Sequence, residues 1–369
     1  MQEPVSRPRF HADHVGSLLR PQELKDAFRD FYSGKIDRAA FREIQDRAIR
    51  SAVALQEEVG LQSITDGEFR RGSWFLGFVE AVDGLTTKDA LFDFHDAEGG
   101  RAKFQTAFVD KKLKRTQGIA TDEFAFVRSI TRRTPKVTMP APSLVHFFRG
   151  NETVSAQAYD DMDEFWQDLI DVYRQEIEAL SEIGCTYVQL DEVPCAMLCD
   201  PNVRAIVAAN GMNPDKLLET YVWAVNEIMA TRPAGMTIAM HLCRGNYKGR
   251  WMAEGGYDPV AERLFGAVKV DTFFLEYDSE RAGGFDPLRF VPSDKGVVLG
   301  LISSKTPKLE AVDVLRRRLD EASRFVALER LGISPQCGFA SSVGGNPLTI
   351  DDERRKLARV VEVAELVWH

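Results

Sequence analysis

The sequence predicts a (β/α)8 barrel, an α/β fold of eight parallel strands each followed by helix. Three observations lead there. Short β-branched or apolar runs alternate with long amphipathic patterns, eight such runs can be counted, and most of them end in ionisable side chains. The runs lie near residues 10–17, 62–66, 136–140, 186–191, 236–241, 271–276, 297–301 and 334–337. Between them, residues 163–183 place Phe165, Leu169, Val172, Tyr173, Ile177 and Leu180 at three- and four-residue steps, the period of a helix with one buried face. The last helix repeats the pattern with Leu357, Val360, Val361, Ala364 and Val367. An open doubly wound sheet satisfies the same periodicity, and the period alone does not separate the two. With 369 residues and no convincing linker, the chain reads as one barrel over 1–369. Residues 75–135 break the alternation and read as an insertion after strand two, carrying its own hairpin.

Composition narrows the function. Hydrophobic residues at 44% and charged residues at 28% describe a globular protein with ample core, which excludes disorder as the main state. A net charge of −9 argues against a nucleic-acid partner, and the cluster Lys111, Lys112, Lys114 and Arg115 reads as a solvated face. There is no apolar run of membrane-spanning length, and MQEPVSRPRF lacks the apolar stretch of a signal peptide. Five cysteines at irregular spacing suit reduced thiols in a cytoplasmic protein better than a disulfide framework. Of these, Cys185, Cys195 and Cys199 read as structural.

The chemically capable residues gather at strand ends. Strand one ends in His11, His14, Gly16 and Ser17; strand two in Asp66, Gly67 and Glu68; strand four in Asp191 and Glu192. Strand five ends in His241, Leu242 and Cys243, strand six in Glu276, and strand eight in Cys337 and Gly338. In a barrel these ends converge on one mouth. Apolar strands that finish in ionisable groups lose stability unless those groups pair or bind something. His241 and Cys243 sit two apart and point the same way on an extended strand. With Glu276 and Cys337 they would offer zinc one imidazole, two thiolates and one carboxylate. The plainer readings stay open: a core histidine beside a buried thiol, a turn at Asp66-Gly67-Glu68, a helix cap at Asp191-Glu192.

The segments HVGSLLRP, TDGEFRRGSW, VQLDEVP, HLCRGNY and SPQCGF resemble, in order, the C-terminal catalytic barrel of cobalamin-independent methionine synthases. The resemblance covers nearly the whole chain outside 75–135. It implies that His241, Cys243, Glu276 and Cys337 are zinc ligands, with Glu276 the one that yields to the substrate thiol. It also implies that Ser17, Glu68 and Asp191 hold the amino-acid part of homocysteine, the two carboxylates facing its ammonium. The activity implied is zinc-dependent transfer of a methyl group to homocysteine sulfur, giving methionine, from methyl-folate or another methyl carrier. The partners are then a small thiol and a small donor.

The chain departs from that family in two ways. A chain of this length has room for one barrel, whereas full-length enzymes carry a second that helps bind the folate. The family histidine after strand seven, an acid for the departing folate, falls on Ile302, followed by Ser303 and Ser304. His11, His14 and His146 are the remaining candidates for that acid, each also readable as a hydrogen-bonded structural histidine; His95 and His369 have no case. Related single-barrel proteins suggest a corrinoid donor, or an epoxide opened by a coenzyme thiol. A non-catalytic zinc-containing binding protein is the reading from a different class. Trp74 and Phe75 are placed to stack on a flat donor or to serve as core. Gly344-Gly345-Asn346 suits an anion-binding nest or an ordinary turn before Pro347.

Overall fold

A computed structural model describes residues 8–95 and 100–368. Six strands pair in parallel in the order of the sequence: Val137–Pro140, Tyr187–Glu192, Thr237–Leu242, Thr272–Glu276, Gly296–Ile302 and Leu331–Pro335. Two further segments close the ring. On one side Ser63–Ile64 pairs with Thr134–Pro135, which runs through Lys136 into the third strand. On the other, Ala12 bridges Ile333, with Asp13 N donating to Ile333 O at 3.1 Å and Ile333 N to His11 O at 2.7 Å. The seam between these two segments is held by Thr65 Oγ1 donating to Gly16 O at 2.7 Å and Leu18 N to Gly67 O at 3.1 Å. Eight chain segments therefore surround one axis, and the barrel alternative prevails over the open sheet.

The strand positions match the expectation with two corrections. The expected first strand over 10–17 shrinks to the bridge at Ala12, because its chain turns away at Gly16, where φ is 142°. The eighth strand ends at Pro335, so Cys337 stands on the loop beyond it rather than on the strand. The helices fall close to the reading: Met162–Glu182 is capped by Asp161, and Ile350–Trp368 ends the described chain.

The period of two decides what lies inside. Val188 and Leu190, Ile238 and Met240, and Phe273 and Leu275 face outward into the large apolar cluster shared with the helices. The alternate positions face the axis. At the lower end Tyr187, Ala239, Phe274 and Val298 form a small buried layer, closed by Phe10. Above them the same strands carry Gln189 and Asp191, His241 and Glu276. One face of each strand thus runs from apolar to polar toward its C-terminal end.

A buried polar network lies on the axis between these layers. Lys136 Nζ is 2.9 Å from Asp13 Oδ1, both side chains being wholly buried. Tyr187 Oη donates to Asp13 Oδ2 at 2.7 Å and Ser63 Oγ to Asp13 Oδ1 at 2.5 Å, while Lys136 also donates to His14 O and to Gln189 Oε1 at 3.2 Å. Every arm of the pair is matched, as a buried ion pair requires.

The insertion is smaller than expected. Its hairpin joins Val82–Asp89 to Gln105–Arg115, with a short pair, Phe94–His95 and Arg101–Ala102, at the tip. The helix Thr121–Ile130 belongs to the barrel, packing against Arg38–Glu58 and Met162–Glu182. Residues 96–99 of the polar run Asp93–Arg101, and His369, lie outside the described residues. Of the basic cluster, Lys112 pairs with Glu164, and Arg115 Nε is 2.7 Å from buried Glu176.

Candidate metal and thiol site

His241 and Cys243 come from the end of the fifth strand, and Cys337 from the loop after the eighth. Their ligand atoms all lie within 4.8 Å of one another and all three residues are buried. The two sulfurs are 3.9 Å apart. Neither ring nitrogen of His241 has a hydrogen-bond partner among the described residues. A buried imidazole with two idle nitrogens is costly in a folded protein, and beside two thiols it fits a metal ion of the zinc type. Cys337 is held well below the ordinary thiol range, first by the adjacent Cys243 sulfur, then by His241 and Lys305. It is the thiol that loses its proton first.

Glu276, the fourth expected ligand, lies outside that group. Its Oε2 accepts from Arg244 N at 2.7 Å and its Oε1 from Arg281 Nη2 at 2.5 Å. Burial works to raise this carboxyl, but Lys305, Arg244 and Arg281 outweigh it and hold it at about 2.

Two further carboxylates face the same space. Asp191 pairs in register with His241, and its Oδ1 accepts from Gln189 Nε2 at 2.7 Å. Burial pushes it up to about 7, with Glu68 adding to the effect. Glu68 stands on a tight turn: Gly67 and Glu68 have φ of 70° and 61°, and Asp66 Oδ1 accepts from Glu68 N at 2.8 Å. The left-handed backbone of a glutamate costs on the order of 1 kcal/mol. The turn is locked by Arg20, which donates to Glu68 O at 2.8 Å and Arg71 O at 2.9 Å. Glu68 Oε1 accepts from Thr138 Oγ1 at 3.0 Å; Oε2 accepts no hydrogen bond among the described residues. Burial raises this carboxyl too. Two buried carboxylates raised together make a site that a cation would relieve. Asp66-Gly67-Glu68 is thus a turn, and it carries the Glu68 carboxylate into this space.

Ser17 lies against Gly338, where a Cβ would come within 1.9 Å of Ser17 Oγ, so this contact admits only glycine. Ser17, Glu68, Asp191, His241, Cys243 and Cys337 line one cavity of about 50 Å³. It shares Trp74, Phe94, Asn246, Met252 and Ser341 with a second cavity of about 250 Å³, lined also by Phe75, Phe104, Phe148 and Tyr247. Three buried polar atoms of its lining residues, Ser73 Oγ, Thr106 Oγ1 and Asn246 Oδ1, have no partner among the described residues. Phe94 and Phe104 come from the inserted hairpin, which thus walls the antechamber to the barrel mouth.

The other sequence candidates lie elsewhere. Ile302 is fully buried. His14 Nε2 is 3.3 Å from Ser63 O, His146 Nδ1 is 2.9 Å from Tyr221 Oη, and His11 stacks on Trp368 at 4.5 Å; none lines either cavity. Gly345 N donates to Ser342 O at 3.0 Å in a turn, and Asn346 ties loops together, donating to Ser304 O and accepting from Gly249 N. Cys185, Cys195 and Cys199 are buried and unbridged. Thr138, Gln189, Arg281 and Lys305 were not signalled by sequence; each acts by touching a carboxylate, and no spacing announces that.

Glu192, next to Asp191, has a separate role. It is fully buried, accepts from Ser143 Oγ at 2.6 Å and from Cys195 N at 2.9 Å, and burial pushes it up to about 7 from the ordinary 4.5. The folded protein therefore holds a proton here that the unfolded chain releases. Stability from this group falls as pH rises from 4.5 through 7, by up to about 3 kcal/mol. Glu192→Gln is expected to flatten that part of the melting-temperature profile; an unchanged slope would contradict the assignment.

Residues 10–366 match the family model described as cobalamin-independent synthase, catalytic domain. The uncharacterized protein YxjH of Bacillus subtilis is 40% identical over 97% of this chain and 95% of its own. The methionine synthase of Pyrococcus abyssi is 27% identical over 88% of this chain and 85% of its own. A crystal structure of the putative vitamin-B12 independent methionine synthase from Listeria monocytogenes covers all of both chains with a TM-score of 0.77 and 34% identity. The barrel, the strand-end residues and these matches agree, and the chain belongs to the cobalamin-independent methionine synthase family through its catalytic domain.

Proposed function

We propose that this protein transfers a methyl group to the sulfur of homocysteine, giving methionine, with zinc as cofactor. The observation that carries the reading is the buried group of His241, Cys243 and Cys337, with both imidazole nitrogens idle, opening on the cavity that holds Glu68 and Asp191. The P. abyssi relative, a methionine synthase, matches over most of its length, which supports the same activity here.

His241, Cys243 and Cys337 would hold the ion, with Glu276 close by as an exchangeable ligand. Zinc supplies the positive charge that strips the proton from a substrate thiol and leaves the sulfur nucleophilic. Glu68 and Asp191 receive the substrate ammonium, whose charge matches theirs, and Ser17 closes the far side. These contacts set the sulfur toward the antechamber. There the S–CH3 bond forms as the donor–CH3 bond breaks: the thiol proton goes to solvent, and the donor departs with the electron pair of its broken bond. Trp74, Phe94 and Phe104 wall the donor space. Among the described residues its titratable lining groups are Lys103 and Tyr247.

The test is a methyl-acceptor assay with homocysteine against methyl-folate with one and three glutamates, methylcobalamin, and a small epoxide. Methionine formed from a methyl donor supports the proposal and identifies the donor. Thioether formed only with the epoxide replaces it with alkyl transfer, and a blank on all donors leaves the zinc-containing binding protein. Asp191→Asn is expected to raise the half-saturating homocysteine concentration about 10- to 100-fold, since a hydrogen-bonded charge pair is lost. Zinc content should not change; an unchanged half-saturation would remove Asp191 from the ammonium site.

A further inference from the structure

The two carboxylate oxygens of Glu68 are held differently. Oε1 accepts from Thr138 Oγ1 at 3.0 Å, whereas Oε2 is buried and has no hydrogen-bond partner among the described residues. Behind Thr138 stands Arg71, only 5% exposed. Its Nη1 donates to Thr138 Oγ1 at 3.1 Å and its Nη2 to Thr138 O at 2.7 Å. Nε and Nη2 also donate to the two oxygens of Glu123, at 3.1 and 2.6 Å. Arg71 Nη1 is 3.9 Å from Glu68 Oε2, too far for a hydrogen bond. Glu123 belongs to the helix Thr121–Ile130 and Thr138 to the third strand. The chain Glu123–Arg71–Thr138–Glu68 thus runs from the helical layer to the cavity that Glu68 lines. Its inner end is tightly packed: a Cβ on Gly16 would meet Thr138 Cγ2 at 2.6 Å and Glu68 Oε1 at 3.2 Å.

We propose that Arg71, Thr138 and Glu123 are positioning residues that tie one oxygen of Glu68 and present the other to the substrate ammonium, and that this chain selects thiols carrying an amine. The inference rests on the reading of Glu68 as the ammonium contact. A hydroxyl has one proton to give. Arg71 occupies the acceptor side of Thr138 Oγ1, which turns that proton toward Glu68 Oε1. Such a hydrogen bond also favours the charged form of a buried carboxylate. Glu123 supplies the other half of the device. A buried guanidinium pairs best with a carboxylate that meets its fork with both oxygens, and Glu123 does so. Without that partner Arg71 would turn to Glu68 Oε2 and take the place of the ammonium.

The experiment measures, by calorimetry on the zinc-loaded protein, the binding of homocysteine and of 4-mercaptobutanoate, which is homocysteine without its amine. Thr138→Val keeps the shape and removes the hydroxyl. Homocysteine affinity is expected to fall about tenfold, the net worth of a hydrogen bond to a charged group. Affinity for 4-mercaptobutanoate should stay as it is. Thr138→Ser should restore the parent value. Glu123→Asp keeps the charge but is too short to hold Nε and Nη2 together. It should show the same amine-specific loss, where a bare effect of charge would leave binding unaltered, and it serves if Thr138→Val does not fold. Equal losses for both thiols would reduce the chain to a structural brace and overturn the inference. Homocysteine affinity unchanged or raised in the folded variants overturns it as well. A parent protein that binds both thiols equally overturns the ammonium reading of Glu68 itself, and this shows before any variant is made.

Discussion

Cys337→Ser is expected to lower zinc affinity by about a thousandfold or more and to take thiol methylation with it. Zinc held by three protein ligands depends heavily on each, and a structural zinc site is worth about 10–16 kcal/mol in total. Removing one of two thiolates forfeits several kcal/mol, because a serine hydroxyl stays protonated at neutral pH and is a poor ligand for this ion. Cys337 is the thiol of the pair that gives up its proton more readily. Its thiol is the one already pulled down by its neighbours, so it binds without a large proton cost. Cys243→Ser should give the same phenotype with the same loss of metal. Cys195→Ser serves as the control: that thiol is buried and pushed well up, and it lies outside the site group. Metal content by mass spectrometry and methionine formation are the readouts. Turnover retained in a metal-free Cys337→Ser protein would defeat the mechanism.

Lys136→Met is expected to destabilise the fold by about 3 kcal/mol, the lower part of the range for breaking a buried pair. The loss is moderated because Asp13 keeps Ser63 and Tyr187 as donors. It remains large because His14 O and Gln189 Oε1 lose theirs, deep on the barrel axis. The network ties together the first, second, third and fourth segments, where backbone pairing is thinnest, since Ala12 makes only a bridge and Ser63–Ile64 only a short ladder. Urea unfolding of the metal-free protein measures it. A change below about 1 kcal/mol would mean that water or a neighbour replaces the ammonium. Gln189 also donates to Asp191, so the same variant should weaken homocysteine binding through a loosened carboxylate, without loss of zinc.

The two predictions draw on different parts of the chain's legibility. His241 and Cys243 could be paired from the period of a strand, and the apolar-to-ionisable ending of the strands located the mouth. Cys337 could be joined to them through the convergence of strand ends in a barrel and through the family resemblance, since spacing along the chain says nothing about a partner 94 residues away. The Lys136–Asp13 pair was invisible. A lysine in a strand-like run ordinarily marks solvent, and what makes it interior here is that the ring closes around it.

Local pattern determined the alternation of strand and helix, the inward and outward faces, and the strand ends where chemistry gathers, because all of these follow from periods of two and 3.6 residues. Ring closure at Ala12, the Arg281 and Lys305 contacts of Glu276, the Arg20 lock on the Glu68 turn and the aromatic antechamber walled by Phe94 and Phe104 were decided by the tertiary structure alone. Each joins groups distant in the chain, and the energy of such a contact depends on distance and burial, quantities that exist only once the chain has folded.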